Sequence, residues 1–227
     1  MQEQEIRNSY EIYAAADRAE MLGFVPADAG TVLDVGCGVG HFGALLKAQR
    51  EREVWGVELD PEAAAIALTK LDRVISGAFN PQSDLPRRTF DCVVFNDVLE
   101  HMVDPYGALR FASELLTRNG KVVASIPNVR YFGNMWLLVR HKSWKYEDSG
   151  ILDRTHLRFF TESSIREMFT DAGYVIDMME GINPLETIDN YFVSKFRVLN
   201  FLSLNSFADM RWLQFAVVAS HPDSHAR

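Results

Sequence analysis

Asp34, Gly36, Gly38 and Gly40 stand at alternate positions at the end of an apolar, β-branched run, Thr31-Val32-Leu33 with Val35. That run reads as a buried parallel strand. Phe42, Ala44, Leu45 and Leu46, beyond the glycines, read as the start of a helix. A strand, a glycine turn and a helix N-terminus bring backbone N–H groups close to a ligand without interference from Cβ atoms. Gly38-Val39-Gly40-His41-Phe42-Gly43 is also a literal G-x-G-x-x-G, the dinucleotide fingerprint of an NAD(P)-dependent oxidoreductase. In that register Asp34 lies inside the strand and Gly36-Cys37 has no evident task. The register that starts at Gly36 puts the Asp34 carboxylate at the strand end, where it suits a cationic ligand and would repel a pyrophosphate.

Two further stretches bear chemistry. Glu53–Leu59 reads as a second strand, and Glu58 closes it in the window where an acid beyond such a turn accepts hydrogen bonds from a ribose diol. Phe90–Phe95 reads as a fourth strand, followed by Asn96-Asp97-Val98-Leu99-Glu100-His101. Ligands of open parallel sheets bind beyond the carboxyl ends of the strands, so this loop lies beside the glycine turn.

The turn Asp34-x-Gly36-x-Gly38-x-Gly40 resembles the first motif of class I S-adenosylmethionine-dependent methyltransferases, whose cofactor carries a sulfonium and an ammonium. The resemblance implies S-adenosylmethionine as cofactor, held by Asp34, Gly36, Cys37, Gly38, Gly40, Glu58, Leu59, Asn96 and Asp97. Relatives commonly place an acid after the third strand for the adenine amino group. This chain has Gly77-Ala78-Phe79-Asn80 there, so Asn80 or backbone must serve, and Phe79 either faces the ring or packs in the core. The stretch Asn96–Pro105 resembles small-molecule methyltransferases, including sugar and quinone O-methyltransferases, some of which place a proposed catalytic histidine at the position of His101. Leu152–Thr161 resembles a string in polysaccharide- and O-antigen-associated methyltransferases. It puts His156 just ahead of a helix capped by Thr161.

What this implies is methyl transfer to a hydroxyl of a small molecule, a sugar or glycan precursor. A hydroxyl needs a base, and histidine, with an unperturbed pKa of ~6.5, suits that role. His101 is the leading base, His156 the reserve or a structural histidine, and Asp97 an orienting or cofactor-side group. Arg154 and Arg158 would pair with a phosphate or carboxylate of the acceptor, or else form surface ion pairs. Tyr131 and Trp136 belong to an aromatic stretch, residues 129–150, that reads as a substrate lid or as an amphipathic helix over the sheet edge. Asp153 with His156 is too sparse for a metal site, and none is expected. Three alternatives stay open: N- or C-methylation, an NAD(P)-dependent oxidoreductase, and a non-catalytic S-adenosylmethionine-binding partner.

The elements that must position these groups follow from the same pattern. The 227 residues suit one domain, 1–227, with lid elements at 129–160 and 183–210. The fold class is α/β: a Rossmann-like, doubly wound, seven-stranded sheet, mostly parallel, with helices on both faces. Family resemblance makes the last strand, Trp212–Ser220, antiparallel and inserted between the fifth and sixth. A first helix spans residues 3–22, anchored by Ile6, Tyr10, Tyr13 and Leu22. A later helix runs to Asn119-Gly120, ahead of strand Lys121–Ile126, and a sixth strand covers Tyr174–Met179. A formal charge of −8 argues against a general nucleic-acid binder. Cys37 and Cys92 form no disulfide framework or zinc spacing. No apolar run spans a membrane, and the acidic N-terminus is wrong for a signal peptide, so a cytoplasmic protein is expected.

Overall fold

The computed structural model describes residues 18–222. Strands β1 (Thr31–Val35), β2 (Glu53–Glu58), β3 (Arg73–Ser76), β4 (Phe90–Asn96), β5 (Leu116–Pro127), β6 (Val175–Pro184) and β7 (Trp212–Ser220) form one sheet. Its order is β3-β2-β1-β4-β5-β7-β6. β1, β2, β3, β4 and β5 pair in parallel, whereas β7 runs antiparallel to both β5 and β6. The chain leaves β1 toward β2 on one side and later returns to β4 on the other. That switch point opens a crevice at the carboxyl ends of β1 and β4, where open α/β sheets take their ligands.

Helices α1 (His41–Gln49), α2 (Pro61–Ala67), α3 (Pro105–Leu115), α4 (Phe132–His141), α5 (Glu162–Asp171), α6 (Leu185–Ile188) and α7 (Asn190–Leu202) connect and cover the strands. The starts are locally encoded. Asp60 accepts from the N–H groups of Glu62 and Ala63 ahead of Pro61, and Asp104 accepts from Gly107 ahead of Pro105. Thr161 and Ser164 form a reciprocal capping box, a kind of cap whose loss typically costs about 1 kcal/mol. Fully buried Leu33, Val93 and Phe95 from the strands meet Leu109, Phe111, Ile165 and Phe169 from α3 and α5. Burial of such side chains contributes about 1.5–3 kcal/mol each, which makes this layer the rigid base of the crevice.

Several boundaries differ from the sequence reading. Of the expected first helix, residues 3–17 lie outside the described residues, with Ile6, Tyr10 and Tyr13; Ala19–Phe24 is a 3-10 helix. Helix α3 ends at Leu115 rather than Asn119, because Leu116 already pairs with Phe90 and the register shifts before Lys121 joins Cys92. Gly120 is thus a close-approach residue: a Cβ there would stand 2.9 Å from the Phe90 carbonyl. β6 extends to Pro184 because it pairs with β7 along its whole length.

Candidate active site

A cavity of about 740 Å³ occupies the crevice, lined by Asp34, Gly36, Cys37, Gly38, Glu58, Leu59, Asn96, Asp97 and His101 among others. Residues expected at a nucleotide site from three separate strand ends are therefore brought to one space. Of the expected cofactor residues only Gly40 is absent from the wall, because it caps α1 with φ 77°.

The turn is built to approach a ligand. Gly36 has φ +68°, and a Cβ there would lie 2.6 Å from Val98 Cγ2, so only glycine fits. Glu58 is buried and braces the turn: Oε2 accepts the Gly38 N–H at 2.8 Å and Oε1 the Asp60 N–H at 2.9 Å. Asp34 is 2% exposed, and its Oδ2 has no hydrogen-bond partner among the described residues. Burial pushes its carboxyl up to about 8, with the nearby Glu58 charge adding to the shift. Both amide atoms of Asn96 are likewise buried and unpartnered among the described residues. Unmatched buried acceptors and donors on a cavity wall suit a polar ligand that supplies the missing bonds. A cationic ligand answers Asp34 in particular.

The pKa of Asp34 makes the ligand's charge testable. Below about pH 8 the carboxyl of the empty protein is protonated, so a cation that prefers the carboxylate must displace a proton. Affinity for S-adenosylmethionine should rise as pH approaches 8, by up to about tenfold per unit, and then level off. Because this acid's folded pKa is raised from 3.8, ligand-free stability should fall as pH rises through the same window. Calorimetry in buffers of differing ionisation enthalpy reads the proton directly; a heat independent of buffer would disprove the assignment.

At the other end of the cavity, Asp97 follows β4 in left-handed conformation, φ 52°. Its carboxylate is already engaged: Oδ1 accepts from Ser125 Oγ at 2.8 Å and Gln214 Nε2 at 2.7 Å, and Oδ2 pairs with Arg18. Three protein side chains thus hold its oxygens and fix the loop after β4.

His101 is placed by a relay that crosses the chain. Asp153 Oδ1 accepts the Thr155 hydroxyl at 2.6 Å, so Thr155 Oγ1 presents a lone pair to His101 Nδ1, 3.0 Å away. The Thr155 carbonyl is 3.3 Å from the same nitrogen. Two acceptors around Nδ1 assign the proton to it and leave Nε2 as the basic nitrogen. Burial, and then the neighbouring His156, lower the pKa of His101, so the ring is neutral at neutral pH.

His156 is buried and donates its Nδ1–H to the Ile151 carbonyl at 2.9 Å. Its ring stands edge-on to His101, centroids 4.6 Å apart. Glu100 Oε1 lies 3.9 Å from His156 Nε2. This is no ion pair: burial pushes the Glu100 carboxyl up to about 8 and lowers the pKa of His156, so both are neutral at pH 7. Neither Glu100 oxygen has a hydrogen-bond partner among the described residues. Glu100, His101 and His156 can offer ligand atoms within 4.8 Å of one another, a set able to hold a metal ion. The sequence reading weighed Asp153 with His156 and missed this set, because Glu100 and His156 meet only in the fold.

A second cavity of about 330 Å³ shares Arg18 and Asp97 with the first. Glu100, His156, Ser149, Asn183 and Gln214 line it with Ile151 and Ile188. His156 thus belongs to this space and His101 to the larger one. Four expected substrate residues line neither cavity. Tyr131 is buried in an apolar cluster with Phe132, Leu185 and Phe196, and Trp136 packs against that cluster. Arg154 pairs with Asp148, and Arg158 donates to the Val103 carbonyl. Within the stretch 129–150, Phe132–His141 forms α4, whose Phe132 and Trp136 pack on Phe192 of α7.

Phe79 lines the cavity and packs on Phe95 and Phe111 at ring distances of 5.6 and 4.8 Å. Asn80 also reaches the wall, in the region where an acid is missing.

A doubly wound sheet, a glycine turn closed by a carboxylate and a switch-point cavity with an unmatched acid define a nucleoside-cofactor enzyme of the class I methyltransferase kind. The chain belongs to the methyltransferase-domain family, whose model matches residues 7–177. Its cofactor is S-adenosylmethionine, and Asp34, Asn96 and the glycine turn fit that cation. A ubiquinone biosynthesis O-methyltransferase of Photobacterium profundum is 25% identical over 179 residues, 75% of this chain and 74% of that one. Another, of Idiomarina loihiensis, is 30% identical over 171 residues, 68% and 66% of the two chains. A SAM-dependent methyltransferase from Archaeoglobus fulgidus shares the fold with a TM-score of 0.66 at 19% identity, over 96% of each chain.

Proposed function

We propose that this enzyme methylates a hydroxyl of a small polar acceptor, a sugar or glycan precursor, with His101 as the base. The observation that carries the reading is the Asp153–Thr155–His101 relay, which presents a neutral imidazole with a basic Nε2 at the cavity wall. S-adenosylmethionine supplies the electrophilic methyl carbon. Asp34 answers its positive charge and Glu58 its ribose hydroxyls, beside the two main-chain N–H groups Glu58 already braces. His101 Nε2 accepts the proton that the acceptor hydroxyl loses, and Thr155 and Asp153 hold the ring for it. A positioned base of this kind contributes about 10²–10⁴-fold. Orientation of the two reactants contributes more, on the order of 7–11 kcal/mol.

The acceptor enters through the second cavity, lined by Ser149 and Asn183, and its reacting hydroxyl reaches past Arg18 and Asp97, which both cavities share, to His101 in the larger one. The names of the bacterial relatives support oxygen as the methylated atom. The similarity of Leu152–Thr161 to polysaccharide-associated methyltransferases supports a glycan. Incubation with labelled S-adenosylmethionine and a panel of sugars, nucleotide sugars and quinols, followed by mass spectrometry, tests both. A methyl ether on a sugar hydroxyl is the expected product; a methylamine, a C-methyl product or a methylated quinol overturns the assignment.

Glu100, His101 and His156 favour one second reading, in which they hold a divalent cation that polarises the acceptor hydroxyl. Turnover lost to a chelator and restored by added metal selects that reading; turnover untouched by the chelator leaves His101 to act as a simple base.

A further inference from the structure

We propose that the outward face of α7, with the basic end of α4, docks the enzyme on an anionic phospholipid surface. The two helices pack on one another through Phe132, Phe192 and Phe196, with ring centroids 5.9 and 5.5 Å from Phe132. That contact uses one side of α7 only. Tyr191, Val198 and Leu202 recur at helical spacing on an exposed flank of the helix, Phe201 stands opposite the contact, and Leu204 continues the surface. Phe201 is 79% exposed, Leu202 70% and Leu204 90%. A helix that is apolar on nearly every side is ordinarily covered on all of them.

Charge says what covers this one. Asn190 to Ser206 contains Lys195 and Arg197 and no acidic residue, and Val129 to Tyr146 contains Arg130, Arg140, Lys142 and Lys145 with none either. Arg130 and Arg197 pair with Asp209 and Glu186, which leaves Lys195, Arg140, Lys142 and Lys145 as the cations of this face. The chain as a whole carries −8, so the rest of the molecule is strongly acidic. An anionic surface would attract this face and repel the others, which fixes one orientation. Lys195 lies over the Tyr191 ring at 3.3 Å and near Trp136 at 5.5 Å. Cations among exposed aromatic and aliphatic side chains are the composition of an interfacial helix. A second copy is the poorer occupant, since a two-fold contact would set this basic face against itself. No helix among the described residues is long and apolar enough to cross a membrane, so the contact is with the surface. Ile188, at the end of α6, lines the second cavity, so docking here sets the acceptor side of the enzyme next to the lipid.

Co-sedimentation of the full chain with vesicles of phosphatidylglycerol and phosphatidylcholine tests this without reference to activity. Binding should be strong at low salt, weaken as salt rises and be slight on phosphatidylcholine alone. F201D with L202D should weaken it by about tenfold or more, and K142E with K145E by a similar factor. Affinity for S-adenosylhomocysteine should be unchanged in both variants, which shows that they are folded. A folded enzyme that ignores the anionic vesicles, or one whose variants bind them equally, overturns the proposal. So does a dimer in solution that F201D with L202D dissolves, because the face would then belong to a second copy.

Discussion

His101→Ala lowers turnover by roughly 10²-fold or more while affinity for S-adenosylmethionine stays nearly constant. The ring reaches the cavity from a short turn after β4, a strand whose interior is fully buried, so its place relative to the methyl donor is set by the sheet. Removing it takes away a proton acceptor that matters in the transition state and little that the bound cofactor touches. His156→Ala should instead raise the acceptor's KM, because His156 lines the second cavity and is anchored to the Ile151 carbonyl. Single-turnover rates together with calorimetric cofactor affinities separate the two. The reverse pattern would move the base to His156. Loss of turnover in neither would leave positioning alone to carry the reaction. Thr155→Val is the companion test: it keeps the shape but removes the hydroxyl acceptor from Nδ1, so it should reproduce part of the His101→Ala loss with the imidazole still present.

Glu58→Ala weakens S-adenosylmethionine binding by roughly ten- to 150-fold, the equivalent of about 1.5–3 kcal/mol for a hydrogen bond to a charged group. The structure adds a second source for the loss. Oε1 and Oε2 already hold the Asp60 and Gly38 N–H groups, so alanine also releases the turn that shapes the cavity. Glu58→Gln separates the two contributions. It keeps one carbonyl acceptor and the bulk, but it turns a donor toward a main-chain N–H. Thermal melting alone reports the turn, whereas melting with cofactor reports the ribose contact. If both variants melt lower yet bind the cofactor as tightly as the parent, the ribose is held elsewhere.

The sequence carried the glycine-turn side of the cavity almost completely. Asp34, Gly36, Gly38 and Glu58 lie within 25 positions of one another and reach the wall from strand ends that hydrophobic patterning alone locates. The place of antiparallel β7 between β5 and β6 was legible too, but through family resemblance, because periodicity does not specify which strands a strand joins. The cap at Thr161 was equally readable, since its partner Ser164 sits three residues away. Gly120 misled because a glycine that permits close approach to Phe90 looks the same in sequence as one that ends a helix.

Only the tertiary structure decided the acceptor half. Thr155 is 54 positions from His101, and their contact fixes which imidazole nitrogen is basic. Asp97 was legible as an orienting or cofactor-side residue, but its bonds to Ser125 and Gln214, 28 and 117 positions away, exist only in the fold. Tyr131 and Trp136 read as part of a lid or of an amphipathic helix, and packing around Leu185 and Phe196 buries Tyr131 and partly buries Trp136. Residue type states what a group can do. Its partners, burial and remaining lone pairs state what it does, and in this half of the site those come from chain segments that meet only when the sheet has formed.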